Sequence, residues 1–111
     1  MKRFGLTDVE QELIREVLRR HAEVNEARVF GSRAKGDFQP NSDVDLVLWG
    51  EISLATLATI AGELDELPLP YLFDVQAYDA IRHRPLREHI NCVGLSFYTK
   101  SEELAGATKT H

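Results

Sequence analysis

The most informative stretch of the sequence runs from Val29 to Trp49 and reads VFGSRAKGDFQPNSDVDLVLW. It begins with a short apolar strand end that leads into Gly31-Ser32, followed by a polar loop. The loop leads into an Asp-Val-Asp triplet and a second apolar strand. Side chains alternate between the two faces of a strand, so Asp43 and Asp45 are predicted to project to the same side.

Paired carboxylates in this position indicate a cation site. Two adjacent carboxylates repel each other unless a cation lies between them or one is protonated. Mg²⁺ prefers oxygen ligands, commonly one or two carboxylates together with waters and substrate phosphates. The small residues of Gly31-Ser32 allow backbone N–H groups to approach a phosphate closely. Metal ligands beside a phosphate cradle predict a nucleotide site.

The arrangement of these residues resembles the signature of the polymerase-β-like nucleotidyltransferases. Gly31-Ser32 is separated by ten residues from Asp43-x-Asp45, which runs into an apolar strand. Arg33-Ala34-x-Gly36 and Ser42 add further matches. Within that superfamily the chain is similar to the minimal nucleotidyltransferases (MNT), which pair with HEPN-domain proteins in toxin–antitoxin modules. The resemblance extends over residues 29–75.

The resemblance implies a third catalytic carboxylate on a strand beside the Asp-x-Asp strand. Asp74 fits, because it interrupts the otherwise apolar residues 71–75. In such enzymes this group ligates the catalytic metal, together with Asp43 and Asp45, and helps to deprotonate the attacking hydroxyl. Each aspartate also has a structural alternative. Asp74 could pair with Arg82 or Arg84, Asp43 could close a turn, and Asp45 could be an exposed edge residue. Asp is depleted in strands, which makes the pair harder to explain structurally.

The resemblance also implies a set of nucleotide-binding residues. Gly31 and Ser32 would hold the phosphate tail, with Ser42 nearby. Arg33 and Lys35 are candidates for contacts with triphosphate oxygens, although both could equally be exposed basic side chains. Ser32 could also cap a short helix over residues 33–35, a role that is compatible with phosphate binding at a helix start.

Length and composition predict one domain of residues 1–98, followed by a frayed tail of residues 99–111. The net charge of −5 argues against direct binding of long nucleic acids. A single cysteine, Cys92, excludes an intramolecular disulfide and fits a reducing interior. The sequence has no membrane-length apolar run and no signal-peptide core, so a cytoplasmic location is expected.

Periodicity predicts the remaining elements. Thr7-x-x-Glu10 is a capping box that opens an amphipathic helix. The other predicted elements are strands over residues 27–30, 43–49 and 70–77, a helix between Ser53 and Pro68, and a helix from Pro85 to Gly94. Residues 95–98 are predicted to pack on the core or on a partner. These elements predict an α/β (α+β) two-layer domain with a small mixed β-sheet and flanking helices.

The resemblance implies a Mg²⁺-dependent transfer, with two ions, of a nucleoside monophosphate to a partner hydroxyl. The expected donor is ATP, and the expected acceptor is an HEPN-type protein, because little of the chain follows the core to hold an acceptor. The alternative is a non-catalytic antitoxin that neutralises its partner by binding. A P-loop is excluded because Lys35-Gly36-Asp37 lacks the Gly-Lys-Ser/Thr sequence. Homo- or hetero-oligomerisation is left open.

Overall fold

The computed structural model describes residues 4–36 and 43–101, without the side chain of Ser32. Its elements are α1 (Asp8–Arg19), β1 (Val24–Phe30), α2 (Ser32–Lys35), β2 (Val44–Gly50), α3 (Leu54–Asp65), β3 (Phe73–Ala77), a 3₁₀ turn (Tyr78–Ala80), α4 (Arg84–Val93) and β4 (Leu95–Thr99). The strands form one sheet in the order β3-β2-β1-β4. β1 is antiparallel to β2 and β4, whereas β3 is parallel to β2. The predicted mixed sheet with flanking helices is confirmed.

The start of α1 is set by the capping box that the sequence predicts. The Thr7 hydroxyl accepts a hydrogen bond from the Glu10 amide at 3.2 Å. The Thr7 amide in turn donates to the Glu10 carboxylate at 2.9 Å. Together they satisfy two of the amides that a helix start leaves without intrahelical partners. The capped helix then buries Ile14, Val17 and Leu18 in the core.

Both faces of β2 are covered. Val44, Leu46 and Leu48 are fully buried in the main core, which α1 and α3 line. The opposite face of the sheet carries a smaller cluster beneath α4, formed by Phe30, Val47, Ile81 and Ile90. β2 is therefore anchored from both sides along its length, and only its first residues lie at the sheet end where Asp43 precedes it.

Several strand boundaries differ from the sequence-based expectations. β1 begins at Val24 rather than Ala27, and β3 begins at Phe73 rather than Pro70. Residues 95–99 form a strand, which was expected only as an apolar packing segment. Gly94 joins α4 directly to β4, so no turn sequence marks the start of the strand. The adjacent Phe97 and Tyr98 are both buried, which breaks the alternation that identifies a strand.

Some predictions fall on residues outside the described part of the chain. Ser42, the rest of its loop from residue 37, and residues 102–111 belong to this group. The nucleotide-binding role of Ser42 and the fraying of residues 102–111 therefore stay predictions. The domain boundary at residue 98 also stays a prediction, although Thr99, expected in the tail, belongs to β4. Among the described helices, the longest have twelve residues, and none is long and apolar enough to cross a membrane.

The capping box gives a direct stability prediction. Thr7→Ala removes the side-chain acceptor for the Glu10 amide, and we expect it to lower the free energy of unfolding by about 1 kcal/mol. Urea denaturation measures the change. Thr59→Ala, an exposed threonine inside α3, is the matched control, and its effect should stay within about 0.5 kcal/mol. Equal losses in both variants would contradict the role of the cap.

Candidate active site

The three predicted catalytic aspartates meet at one end of the sheet. Asp45 on β2 is the register partner of Asp74 on the parallel strand β3. Asp43 lies just before β2, two residues from Asp45 and therefore on the same side of the extended chain. Across the other edge of β2, Asp45 pairs with Phe30, the last residue of β1. Gly31 follows Phe30, so the predicted phosphate cradle begins at the same end of the sheet.

The carboxylates influence one another electrostatically. Asp45 is partly buried, whereas Asp43 and Asp74 are exposed. Burial is the largest cause that raises the pKa of Asp45 above its ordinary value of 3.8, and the negative charges of Asp74 and then Asp43 raise it further. The Arg33 guanidinium acts in the opposite direction and lowers it. Asp45 is thus the centre of a carboxylate cluster that is costly to ionise in the absence of a cation.

Two independent features of the fold favour glycine at residue 31. Its φ of +73° lies in the left-handed region, which favours glycine. A β-carbon on Gly31 would also collide with the carboxylate oxygen Oδ2 of Asp45. The first residue of the predicted phosphate cradle therefore lies directly against the central aspartate.

The three carboxylates suit a metal ion whose remaining ligands come from water and from the substrate. Within residues 4–36 and 43–101, no group of three or more Asp, Glu, His or Cys side chains is arranged to hold a metal ion by itself. Mg²⁺ does not need such a cage, because it commonly takes one or two carboxylates and fills its remaining positions with water and phosphate oxygens. Asp43 and Asp74 are exposed beside the half-buried Asp45, which fits an open site of that kind.

The other predicted nucleotide-binding residues differ in their placement. Lys35 is exposed at the end of α2, where it is free of the core. Arg33 is buried, and the described partners of its guanidinium are protein groups. The phosphate contacts of Arg33 and Lys35 stay predictions. The structural alternative for Asp74 is not formed, since within the described residues Asp74 has no ion pair and Arg84 instead approaches Glu88 at 3.8 Å.

One part of the site could not be read from the sequence. The Arg33 guanidinium donates to the backbone carbonyl of Phe4 and lies over the ring of Tyr71. Backbone carbonyls are present at every residue, so nothing in the sequence marks the one at Phe4 as a partner. Tyr71 precedes the third strand in an apolar run, and its type is consistent with ordinary core packing.

With this geometry established, comparison with known proteins identifies the family. Residues 12–103 match the family model described as polymerase beta, nucleotidyltransferase. The match covers most of the chain, and the protein belongs to this family of nucleotidyltransferases. The assignment made from Gly31-Ser32 and Asp43-x-Asp45 is therefore confirmed. Comparison with curated proteins gives no match.

Solved structures with the same fold include minimal nucleotidyltransferases in toxin–antitoxin complexes. A toxin–antitoxin crystal structure with AMP-PNP aligns with a TM-score of 0.68 at 20% identity, over 90% of this chain and 82% of that chain. The toxin–antitoxin MntA–HepT aligns at 0.65 and 15% identity, over 87% and 76% of the two chains. A tri-AMPylated Shewanella oneidensis HEPN toxin in complex with MNT antitoxin aligns at 0.60 and 15% identity, over 86% and 77%. At these identities the likeness shows the fold.

Three glycine-to-alanine variants separate the two constraints on Gly31. Gly31→Ala meets both the left-handed backbone and the Asp45 carboxylate, and we expect a loss of about 1–3 kcal/mol in unfolding free energy together with loss of transfer activity. Gly36 has a φ of +88°, and no atom of the described residues lies within 4 Å of a β-carbon placed there, so Gly36→Ala should cost only about 1 kcal/mol. Gly62→Ala in α3 should raise the unfolding free energy by about 0.5–1 kcal/mol. Chemical denaturation measures the change in unfolding free energy of each variant. Equal losses for Gly31→Ala and Gly36→Ala would contradict a destabilising contact between residue 31 and Asp45.

The raised pKa of Asp45 predicts that the ionised site costs stability. The folded pKa lies above the unfolded value, so the cost is present at neutral pH and disappears as Asp45 is protonated on acidification. Asp45→Asn should therefore raise the melting temperature at pH 7 by about 2 °C in metal-free buffer. The difference from wild type should shrink as the pH falls through the raised pKa. The exposed Asp79 provides the control, Asp79→Asn, which should leave the melting temperature unchanged. A lower melting temperature for Asp45→Asn at pH 7 would contradict the account.

Proposed function

We propose that this chain transfers AMP from ATP to a hydroxyl group of a partner protein, and that the partner is an HEPN-type toxin for which it is the antitoxin. The observation that carries the transfer chemistry is the pairing of Asp45 with Asp74 beside Asp43 at the sheet end where Gly31 begins the phosphate cradle. The acceptor is proposed from structural relatives, which include the AMPylated HEPN toxin with its MNT antitoxin. A cytoplasmic location belongs to the same proposal.

Each aspartate has a role suited to its environment. Asp43 and Asp74 are exposed, so they can meet substrate and solvent without a large desolvation cost. Asp45 is half-buried between its neighbours and holds a fixed position in the centre of the cluster. Two Mg²⁺ ions held by Asp43, Asp45 and Asp74 would supply charge neutralisation at the phosphates and a more acidic acceptor hydroxyl.

In the proposed reaction the acceptor oxygen attacks the α-phosphorus of ATP. The new bond joins this oxygen to the α-phosphorus, and the bond from the α-phosphorus to the bridging oxygen breaks, so that pyrophosphate leaves with the bonding electrons. The acceptor proton passes to Asp74, whose exposed carboxylate can also release it to water. Backbone N–H groups of the nearby cradle would stabilise the negative charge of the phosphate tail.

In this proposal the phosphate cradle comprises Gly31, Ser32, Lys35 and Ser42. Arg33 is left out of it, because its guanidinium is buried and donates to backbone carbonyls. Gly31 has no side chain, so its main chain can lie close to both Asp45 and a phosphate. Lys35 is exposed at the end of α2 and can reach phosphate oxygens as a point charge. Ser32 is the first residue of the short helix α2 and follows Gly31 in the cradle.

The proposal predicts AMP transfer that depends on each of the three carboxylates. The HEPN-domain toxin of the same organism is incubated with this chain, ATP and Mg²⁺, and its intact mass is measured. We expect a gain of one or more AMP units, with the rate reduced at least about 100-fold by Asp43→Asn, Asp45→Asn or Asp74→Asn. Removal of Mg²⁺ with EDTA should abolish the gain, and Asp79→Asn should retain the full rate.

Other outcomes of this experiment have distinct meanings. A stable complex without any mass gain would contradict transfer and favour an antitoxin that acts by binding alone. A mass gain that survives all three substitutions would contradict the assignment of the site. A mass gain with another nucleoside triphosphate, but not with ATP, would overturn the choice of nucleotide while supporting transfer.

A further inference from the structure

Arg33 is the only charged residue that is buried among the described residues, with 2% of its surface exposed. A buried cation is costly unless polar groups compensate for its lost hydration. Its Nη1 donates to the carbonyl of Phe4 at 2.9 Å, and its Nε donates to the carbonyl of Asp43 at 3.3 Å. The guanidinium also lies over the ring of Tyr71, 4.7 Å from the centroid. These partners come from three separate segments of the chain.

Arg33 contacts residues beside the hydrogen bond that joins the starts of β2 and β3. The Val44 amide donates to the carbonyl of Leu72 at 2.9 Å. Arg33 contacts the residue before each of these two, since it binds the carbonyl of Asp43 and covers the ring of Tyr71. One buried guanidinium therefore contacts both Asp43 and the residue that leads into β3.

We call the contacts of Arg33 with Phe4, Asp43 and Tyr71 the clamp. Through Tyr71 the clamp is connected to the N-terminal helix α1. The Tyr71 hydroxyl donates to the Glu10 carboxylate at 3.0 Å, and Glu10 also belongs to the capping box of α1. Burial, and then the hydrogen bond and charge of Glu10, raise the pKa of Tyr71 above 10.0, which keeps the hydroxyl protonated as a donor. The guanidinium fork suits this junction because it offers several donors in fixed directions, whereas a lysine offers one compact ammonium.

We propose that Arg33 is a positioning residue for nucleotidyl transfer, which holds the main chain of Asp43 against the start of β3 and so sets the spacing of the three carboxylates. The inference rests on the proposed function, because it concerns the geometry of the same site. An arginine that binds triphosphate directs its donors towards solvent, whereas Arg33 directs described donors at backbone carbonyls within the fold.

The experiment compares Arg33→Lys and Arg33→Met with wild type, using Arg84→Met as the control. Arg84 is exposed and its only described ion pair is with Glu88 on α4, so its loss should change nothing. AMP transfer to the HEPN-domain toxin gives kcat, and titration with a non-hydrolysable ATP analogue gives the nucleotide affinity. We expect kcat to fall about 10- to 100-fold in both Arg33 variants, because a displacement of about 1 Å costs a reaction of this kind up to about 100-fold. The analogue affinity should stay within about 3-fold.

Two results would overturn the proposal. A loss of affinity of about 10-fold or more with kcat unchanged would make Arg33 a phosphate ligand. An unchanged kcat and affinity in a destabilised variant would make it a structural residue without influence on the site. If the Arg33 variants do not fold, Tyr71→Leu removes the ring beneath the guanidinium, and it should lower kcat with the affinity retained. Tyr71→Leu at the wild-type kcat would then contradict the clamp.

A readout without catalysis separates this proposal from the proposed function. Hydrogen exchange of the Val44 amide reports directly on the bond to Leu72. We expect faster exchange at Val44 in Arg33→Lys than in wild type, whether or not the wild-type protein transfers AMP. Failure of transfer in wild type with faster exchange in the variant would refute the proposed function and support the clamp. Unchanged exchange would refute the clamp.

Discussion

Parallel pairing of β2 with β3 sets Asp45 directly beside Asp74, and Asp43 adds a third negative charge at the same end of the sheet. Partial burial, and then repulsion by Asp74 and Asp43, raise the pKa of Asp45, so the fold holds together groups that would separate if they were free to move. The core supplies the restraint, because Val44 and Leu46 are fully buried on the opposite face of the same strand. Closely spaced carboxylates with open space for water and phosphate oxygens are a common arrangement for binding Mg²⁺.

Two residues connect that carboxylate cluster to the rest of the chain. Gly31 lies against Asp45 from the end of β1, where a β-carbon would meet the Asp45 carboxylate unless that side chain moved. Arg33 lies two residues further on and binds the carbonyl of Asp43 from the buried side. The short segment after β1 therefore serves both as the predicted phosphate cradle and as the support of the acidic strand. This double use explains why glycine and arginine occur so close together in the stretch.

The family and the mixed sheet could be predicted from the sequence, whereas the tertiary contacts that connect the predicted site to the fold could not. Asp43-x-Asp45 and the isolated Asp74 were recognisable because carboxylates are unfavourable in strands without a charged partner. Their pairing in register depends on β-sheet order, which local patterns do not encode. The strand at residues 95–99 was missed because two consecutive buried aromatic residues hide its alternation. The buried bonds of Arg33 to backbone carbonyls depend on tertiary contacts between distant segments, which no local pattern specifies.

If the three aspartates and the segment after β1 form one cation and nucleotide site, an ion bound there should lie beside both. Paramagnetic broadening of amide signals by Mn²⁺, used in place of Mg²⁺ with a non-hydrolysable ATP analogue, locates the ion directly. We expect broadening centred on Gly31, Asp45 and Asp74, and its loss in Asp45→Asn. Broadening centred instead on Glu23 and Glu51, which lie at the opposite end of the β1–β2 pair, would contradict it.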